Sequence, residues 1–271
     1  MRGTIQQTRR VILVIVVPAA TLALLSFLLP QTGLAHPDSE LHVCLSGCAY
    51  SSIQSAVDAA QDGDLIKVAA GVYTGVQPRL APPGYWGPSV VTQVVYISKA
   101  VSLMGGYTMT DWSTSYTLTQ PTIVDAQGAG RGFFVVDNVG TTLQGLHITN
   151  SSAQGLNGHR YEPNPSIPRD AGGGIYVMGS TAFVTGNHIF SNTDGYYTGI
   201  GAGIYAYLSS VLLDQNTIFD NFTSGDCGGL AIVTSTATIQ NNTVYSNYSG
   251  FAGAGGLCLD SSEVTLRATL L

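Results

Sequence analysis

The chain has 271 residues, enough for one large domain or two small ones, and 45% of them are hydrophobic, which excludes disorder as the main state. Its 33 glycines, about 12% of the chain, and only 10% charged residues describe a turn-rich β protein rather than a helical enzyme with a salt-bridged surface. A formal charge of −6 without any basic patch excludes nucleic acid as a partner.

Arg2, Arg9 and Arg10 precede an uncharged apolar run from Val11 to Leu29, and Gly33-Leu34-Ala35 places small residues where a signal peptidase cuts. Residues 1–35 therefore read as a signal peptide and residues 36–271 as an exported domain of formal charge −9. An acidic surface suits a secreted or cell-surface protein. The alternative is an uncleaved membrane anchor, because the run approaches the ~20 residues that span a bilayer. Pro18 and Pro30 weigh against it, and Arg9-Arg10 adds only a slight twin-arginine signal.

Four cysteines fit export but are too few for a disulfide scaffold. Cys44 and Cys48 are expected to pair across Leu45-Ser46-Gly47, whereas Cys227 and Cys258 sit at different offsets in different repeats and need not meet. No histidine has a partner at metal-ligand spacing, so no metal is expected.

Ser52 is a candidate N-cap for a short helix with Ile53, Ala56, Val57 and Ala60 on its apolar face and Gly63 at its end. Strands are predicted at Leu65–Ala69, Val94–Ile97, Val101–Met104, Phe133–Val136 and around Leu143–Ile148. Val76–Gln93 and Ser151–Asp170 are rich in Pro, Gly and polar residues and read as loops on the flank.

From Gly174 onward the chain repeats itself. Gly174, Gly203, Gly229 and Gly256 are separated by 29, 26 and 27 residues. Asn187, Asn216 and Asn242 follow the first three at one fixed offset, and Asn192, Asn221 and Asn247 at another. Ser180, Ser209, Ser235 and Ser262 form a third column. Between these points apolar residues alternate. Ile175, Ile204, Leu230 and Leu257 should point inward, and the next column, Tyr176, Tyr205, Ala231 and Cys258, outward.

Three short strands per repeat describe one coil of a parallel β-helix, closed at its start by the helix. The asparagines suit its turns, since they tolerate left-handed backbone and can bond from coil to coil. A leucine-rich repeat has an overlapping period but needs a leucine spacing that is absent here. Counting from Gly256 puts Leu270 and Leu271 in mid-strand, so further coils of a longer parent chain, or self-association, are expected beyond residue 271.

Tyr50-Ser51-Ser52-Ile53-Gln54-Ser55-Ala56-Val57, Gly63-Asp64 with Ile66-Lys67-Val68, and Gly71-Val72-Tyr73 resemble the opening coil of the pectin-lyase-like family. Gly105-Gly106-Tyr107, Asp111-Trp112, Asp125-Ala126-Gln127-Gly128 and the Gly-Gly-Ile-Tyr and Asn-x-Ile-x-x-Asn repeats are similar to a subgroup of large secreted bacterial proteins, often described as similar to polymorphic outer-membrane proteins. The resemblance covers residues 42–271 and implies an all-β, single-stranded right-handed parallel β-helix. It does not fix an activity, because that scaffold hosts lyases, hydrolases and adhesins.

A lyase of this fold would need clustered acids for calcium, and a hydrolase paired carboxylates. Asp214, Asp220, Asp226, Asp260 and Glu263 form no column, and Asp125 beside Gln127-Gly128 reads as a turn residue. No residue is therefore assigned to catalysis, and no cofactor is expected, calcium entering only under the lyase alternative. His147 and His188 read as structural, and the Asn-x-Ser/Thr matches at Asn150, Asn221, Asn241 and Asn247 as by-products of Asn-rich turns. The candidate ligand-binding residues lie in the interruptions: Tyr85 and Trp86, then Arg160, Tyr161 and Glu162 after His159. Aromatic faces beside polar groups suit sugars, although the same rings could pin a loop to the coil. The expected function is binding or adhesion, to polysaccharide or cell-surface glycans. Polysaccharide cleavage and a passenger segment of a larger adhesin are the alternatives.

Overall fold

A computed structural model describes residues 39–160, 168–195, 199–250 and 253–271, and the expected signal segment lies outside them. Successive coils stack into three long sheets. The first has eight strands: Glu40–Val43, Leu65–Ala69, Ser102–Tyr107, Gly140–Gln144, Thr181–Thr185, Ser210–Asp214, Thr236–Gln240 and Glu263–Arg267. The second has six: Gly71–Tyr73, Thr122–Asp125, Leu146–Thr149, His188–Phe190, Thr217–Phe219 and Thr243–Tyr245. The third has seven: Gln77–Leu80, Val90–Ile97, Arg131–Val135, Ile175–Met178, Ile204–Tyr207, Leu230–Val233 and Leu257–Asp260. Gln77–Leu80 pairs antiparallel to Val90–Ile97 and closes one edge of the third sheet, while every other pairing in the three is parallel.

The interior follows the alternation in the sequence. Ile204 pairs in register with Ile175 and Leu230, and all three are fully buried in one continuous core. The short helix, Ile53–Ala59, covers the start of that core with Ile53, Ala56 and Val57. Ser52 caps it by accepting the Ser55 N–H at 3.2 Å. It ends at Ala59, before the expected Gly63, because Lys99 donates to the carbonyls of Val57, Asp58 and Ala60.

The ladders form as expected, with one correction. Asn187 Nδ2 donates to Asn216 Oδ1 and Asn216 Nδ2 to Asn242 Oδ1, both at 3.0 Å; Asn192, Asn221 and Asn247 repeat this at 2.9 Å. The left-handed residue at each corner is the one before the asparagine: Gly186, Gln215 and Asn241, or Ser191, Asp220 and Ser246. The ladder amide instead bonds the backbone of the coil below, as Asn216 Nδ2 does with Val184 O at 2.7 Å. The anchors Gly174, Gly203 and Gly229 are required by close approach, since a Cβ on Gly203 would lie 2.6 Å from Gly229 O and 3.0 Å from Asn221 Nδ2.

The predicted strand around Leu143–Ile148 is two strands, broken at Gly145, whose φ of +66° turns the corner between sheets. Val101–Met104 runs on through Gly105 and Gly106 to Tyr107. Both interruptions carry strands of their own, and in the second Gly158–Arg160 pairs antiparallel with Pro168–Asp170.

Candidate ligand-binding flank

Along the outer face of the third sheet, Tyr96, Phe134, Tyr176, Tyr205, Ala231 and Cys258 stand in register. They point away from the core, as expected, but Phe134, Tyr176, Tyr205 and Ala231 are fully buried. The two insertions, together with Ala171, Ile200 and Cys227 from loops of the coils themselves, cover them in a second hydrophobic cluster that also holds Val91 and Val136. The alternating pattern thus marks the two faces of the strand, and the insertions decide that both are dry.

Polar groups tie the insertions down. Arg131, fully buried, donates to Ala171 O at 3.0 Å, Asn157 O at 2.8 Å and the Tyr85 hydroxyl at 3.0 Å. Its guanidinium lies 5.1–5.7 Å from the ring centres of Tyr176, Phe134 and Tyr85, whose π faces stabilise the charge. The Tyr85 hydroxyl donates to Leu156 O and the Tyr176 hydroxyl to Gly158 O, so each insertion is bonded to the other or to the sheet. His159 Nδ1 meets the Tyr205 hydroxyl at 2.6 Å.

The candidate ligand residues therefore divide. Tyr85 is spent on holding the flank together: its ring packs on Phe134 and Tyr176, and both its hydrogen bonds are internal. Trp86 is 43% exposed, and Arg160 lies 4.8 Å above its ring. Gly158 N donates to Trp86 O at 2.7 Å, which joins the two insertions at this point. Tyr161 and Glu162 lie outside the described residues. Arg131 and His159 were not singled out as site residues; an arginine inside an apolar strand, Gly132-Phe133-Phe134-Val135, was the signal available for the first.

The family model for a right-handed beta helix region matches residues 113–269, more than half of the chain. The chain belongs to the right-handed beta helix family. No curated protein and no solved structure matches it significantly.

Around this flank of the β-helix, three acids have a structural partner or are shut away from solvent. Asp226 pairs with Arg169 at 2.7 Å. Asp170 accepts the N–H groups of Asn157 at 2.7 Å and Gly155 at 3.0 Å, and burial still pushes its carboxyl above the usual range. Asp194 is fully buried, and burial holds its carboxyl well above the usual carboxylate range. Asp125 accepts the Gln127 N–H at 2.8 Å, the turn role expected of it. Among the described residues, no group of three or more His, Cys, Asp or Glu could hold a metal, and no helix is long and apolar enough to cross a membrane.

The disulfides close on both sides of the molecule. Cys44 and Cys48 are bonded, with Cα atoms 5.5 Å apart. Cys227 and Cys258 are also bonded, at 5.7 Å, which corrects the expectation that they need not meet. Cys258 pairs in register with Ala231, and the corner before Gly229 brings Cys227 back beneath it; counting offsets along the sequence ignores this return of the chain.

Proposed function

We propose that this β-helix is an exported binding module that holds polysaccharide or cell-surface glycan on the surface its two insertions build, and does not cleave it. The observation that carries the reading is the junction of the insertions: Trp86 and Arg160, from different insertions, meet on a base fixed by Arg131, Tyr85 and Tyr176. A preorganised aromatic face beside hydrogen-bond donors holds a sugar ring at little entropic cost. Export is supported by the leader-like residues 1–35 and by two disulfides, which persist in oxidising compartments.

Affinity electrophoresis of the protein through gels containing soluble polysaccharides, charged and neutral, tests the reading. At least one polymer should retard the protein through this flank, so that Trp86→Ala weakens its retardation about tenfold with little change in thermal midpoint. Retardation by no polymer in a broad panel, or equal retardation of the variant by every polymer in it, would overturn it.

A further inference from the structure

A different surface of the same coils carries a second set of aromatic side chains. Phe190, Phe219 and Tyr245 stack in register on the outer face of the second sheet, with ring centres 5.0 and 5.2 Å apart and planes within 9° of parallel. Just past the next corner Phe222 and Tyr248 do the same, at 5.3 Å and 2°. Asp220 and Ser246 turn the corner between the two ladders, both with positive φ. Phe222, which has a neighbour on both sides of it in the stack of coils, is 45% exposed.

Where parallel rings touch at about 3.5 Å, centres 5.0–5.3 Å apart place each ring roughly 4 Å across the next. The rings overlap like tiles, and each leaves part of a face open. Below the ladders, the same corner widens into a groove of about 530 Å³ lined by Asp125, Gln127, Asn150, Ser191 and Thr193. Side chains with hydroxyl, amide and carboxylate groups border it, although most of its exposed lining is apolar and Asp125 already accepts the Gln127 N–H.

We propose that this corner is a second binding site, and that its ligand is a neutral polysaccharide chain lying along the coil axis. The aromatic tiles recur once per coil, roughly every 4.8 Å, which suits a ligand that itself repeats. Axial C–H groups of a sugar carry partial positive charge and rest on the negative π face, while its hydroxyls find partners in the groove. Charge excludes a polyanion: no Lys or Arg occurs between Arg169 and Arg267, whereas Asp214 and Asp220 lie on these coils. Burial holds His188 below the usual imidazole range, so it supplies no cation at neutral pH.

The test uses the full-length protein, a soluble neutral β-glucan, a galactomannan, dextran, and polygalacturonate as the anionic counterpart. Affinity electrophoresis should show retardation by at least one neutral polymer and none by polygalacturonate. The double variant Phe222→Ala/Tyr248→Ala should weaken retardation about tenfold while its thermal midpoint moves by only about 4 °C. Trp86→Ala should leave binding to that neutral polymer within about twofold, which separates this site from the insertion flank. The proposal is overturned if no neutral polymer retards the protein, if polygalacturonate does so equally, or if the double variant binds as wild type. It is also overturned if sedimentation shows that the double variant abolishes a dimer, because the corner would then be an interface between copies.

Discussion

Ile204 and Tyr205 are neighbours on one strand, face opposite sides of it, and are both fully buried. Placing a carboxylate at either position buries a charge, in the first case inside the coil and in the second beneath the insertions. Ile204→Asp and Tyr205→Asp should therefore each cost more than about 4 kcal/mol or abolish folding. A thermal melt in which Tyr205→Asp is mild would mean that the insertions do not cover the third sheet in solution. Tyr205→Phe is the gentler probe and should cost about 1–3 kcal/mol through its lost contact with His159. His159 also gives the flank a pH signature. Burial lowers its imidazole to about 4, against an ordinary value of 6.5. Between those values the unfolded chain binds a proton that the folded chain refuses, so stability is full above pH 6.5 and falls as pH drops toward 4. The loss amounts to roughly 3 kcal/mol at most. Replacing His159 by Gln should flatten this part of the stability curve measured by denaturant titration; an unchanged slope would show that the ring is solvated.

At the scale of the element, the asparagine column is the strongest test. Asn216 accepts the backbone and side-chain N–H groups of Asn187 and donates to Asn242 Oδ1 and Val184 O. Removing it orphans buried groups on two neighbouring coils, so Asn216→Ala should cost about 3–5 kcal/mol, whereas Asn241→Gly, which keeps the left-handed conformation of the exposed corner beside that column, should cost under about 1. Similar melting temperatures for the two variants would contradict the ladder. The Cys227–Cys258 bond spans 31 residues and clasps the last described coil to the one before. Chain entropy gives such a closure about 3–4 kcal/mol. Hydrogen exchange of the Cys258→Ser variant should show faster exchange at Leu257–Asp260 with little change at Ile175–Met178, and uniform acceleration would mean the coils open as one unit. These elements were legible in the sequence because a solenoid aligns like residues, so glycine, serine and asparagine columns state the register directly. Gly145 was harder to read as a corner because a single residue separates the two strands and the one sign of it is a slip in alternation from Leu143 to Leu146, and Cys227 because its partner is adjacent only after the chain has gone round a coil.

Across the whole molecule, the coil core and the functional surface are written in different ways. The repeat carries the core, and its pattern matches the pairing throughout residues 174–271. The insertions have no repeat, so the sequence could place Tyr85, Trp86 and Arg160 near the flank without saying which ring would be buried. The deciding residue was Arg131, whose buried guanidinium draws Tyr85 inward and leaves Trp86 at the surface. The same anchoring engages the nearby acids: Asp226 with Arg169, Asp170 with two backbone N–H groups, and Asp194 shut away from solvent. That arrangement supports the proposal that the flank holds a glycan rather than cleaving it. The most direct measurement is product analysis after prolonged incubation with each polysaccharide that retards the protein, with and without calcium. The account predicts binding with no new reducing or unsaturated ends, and their appearance in proportion to protein concentration would contradict it.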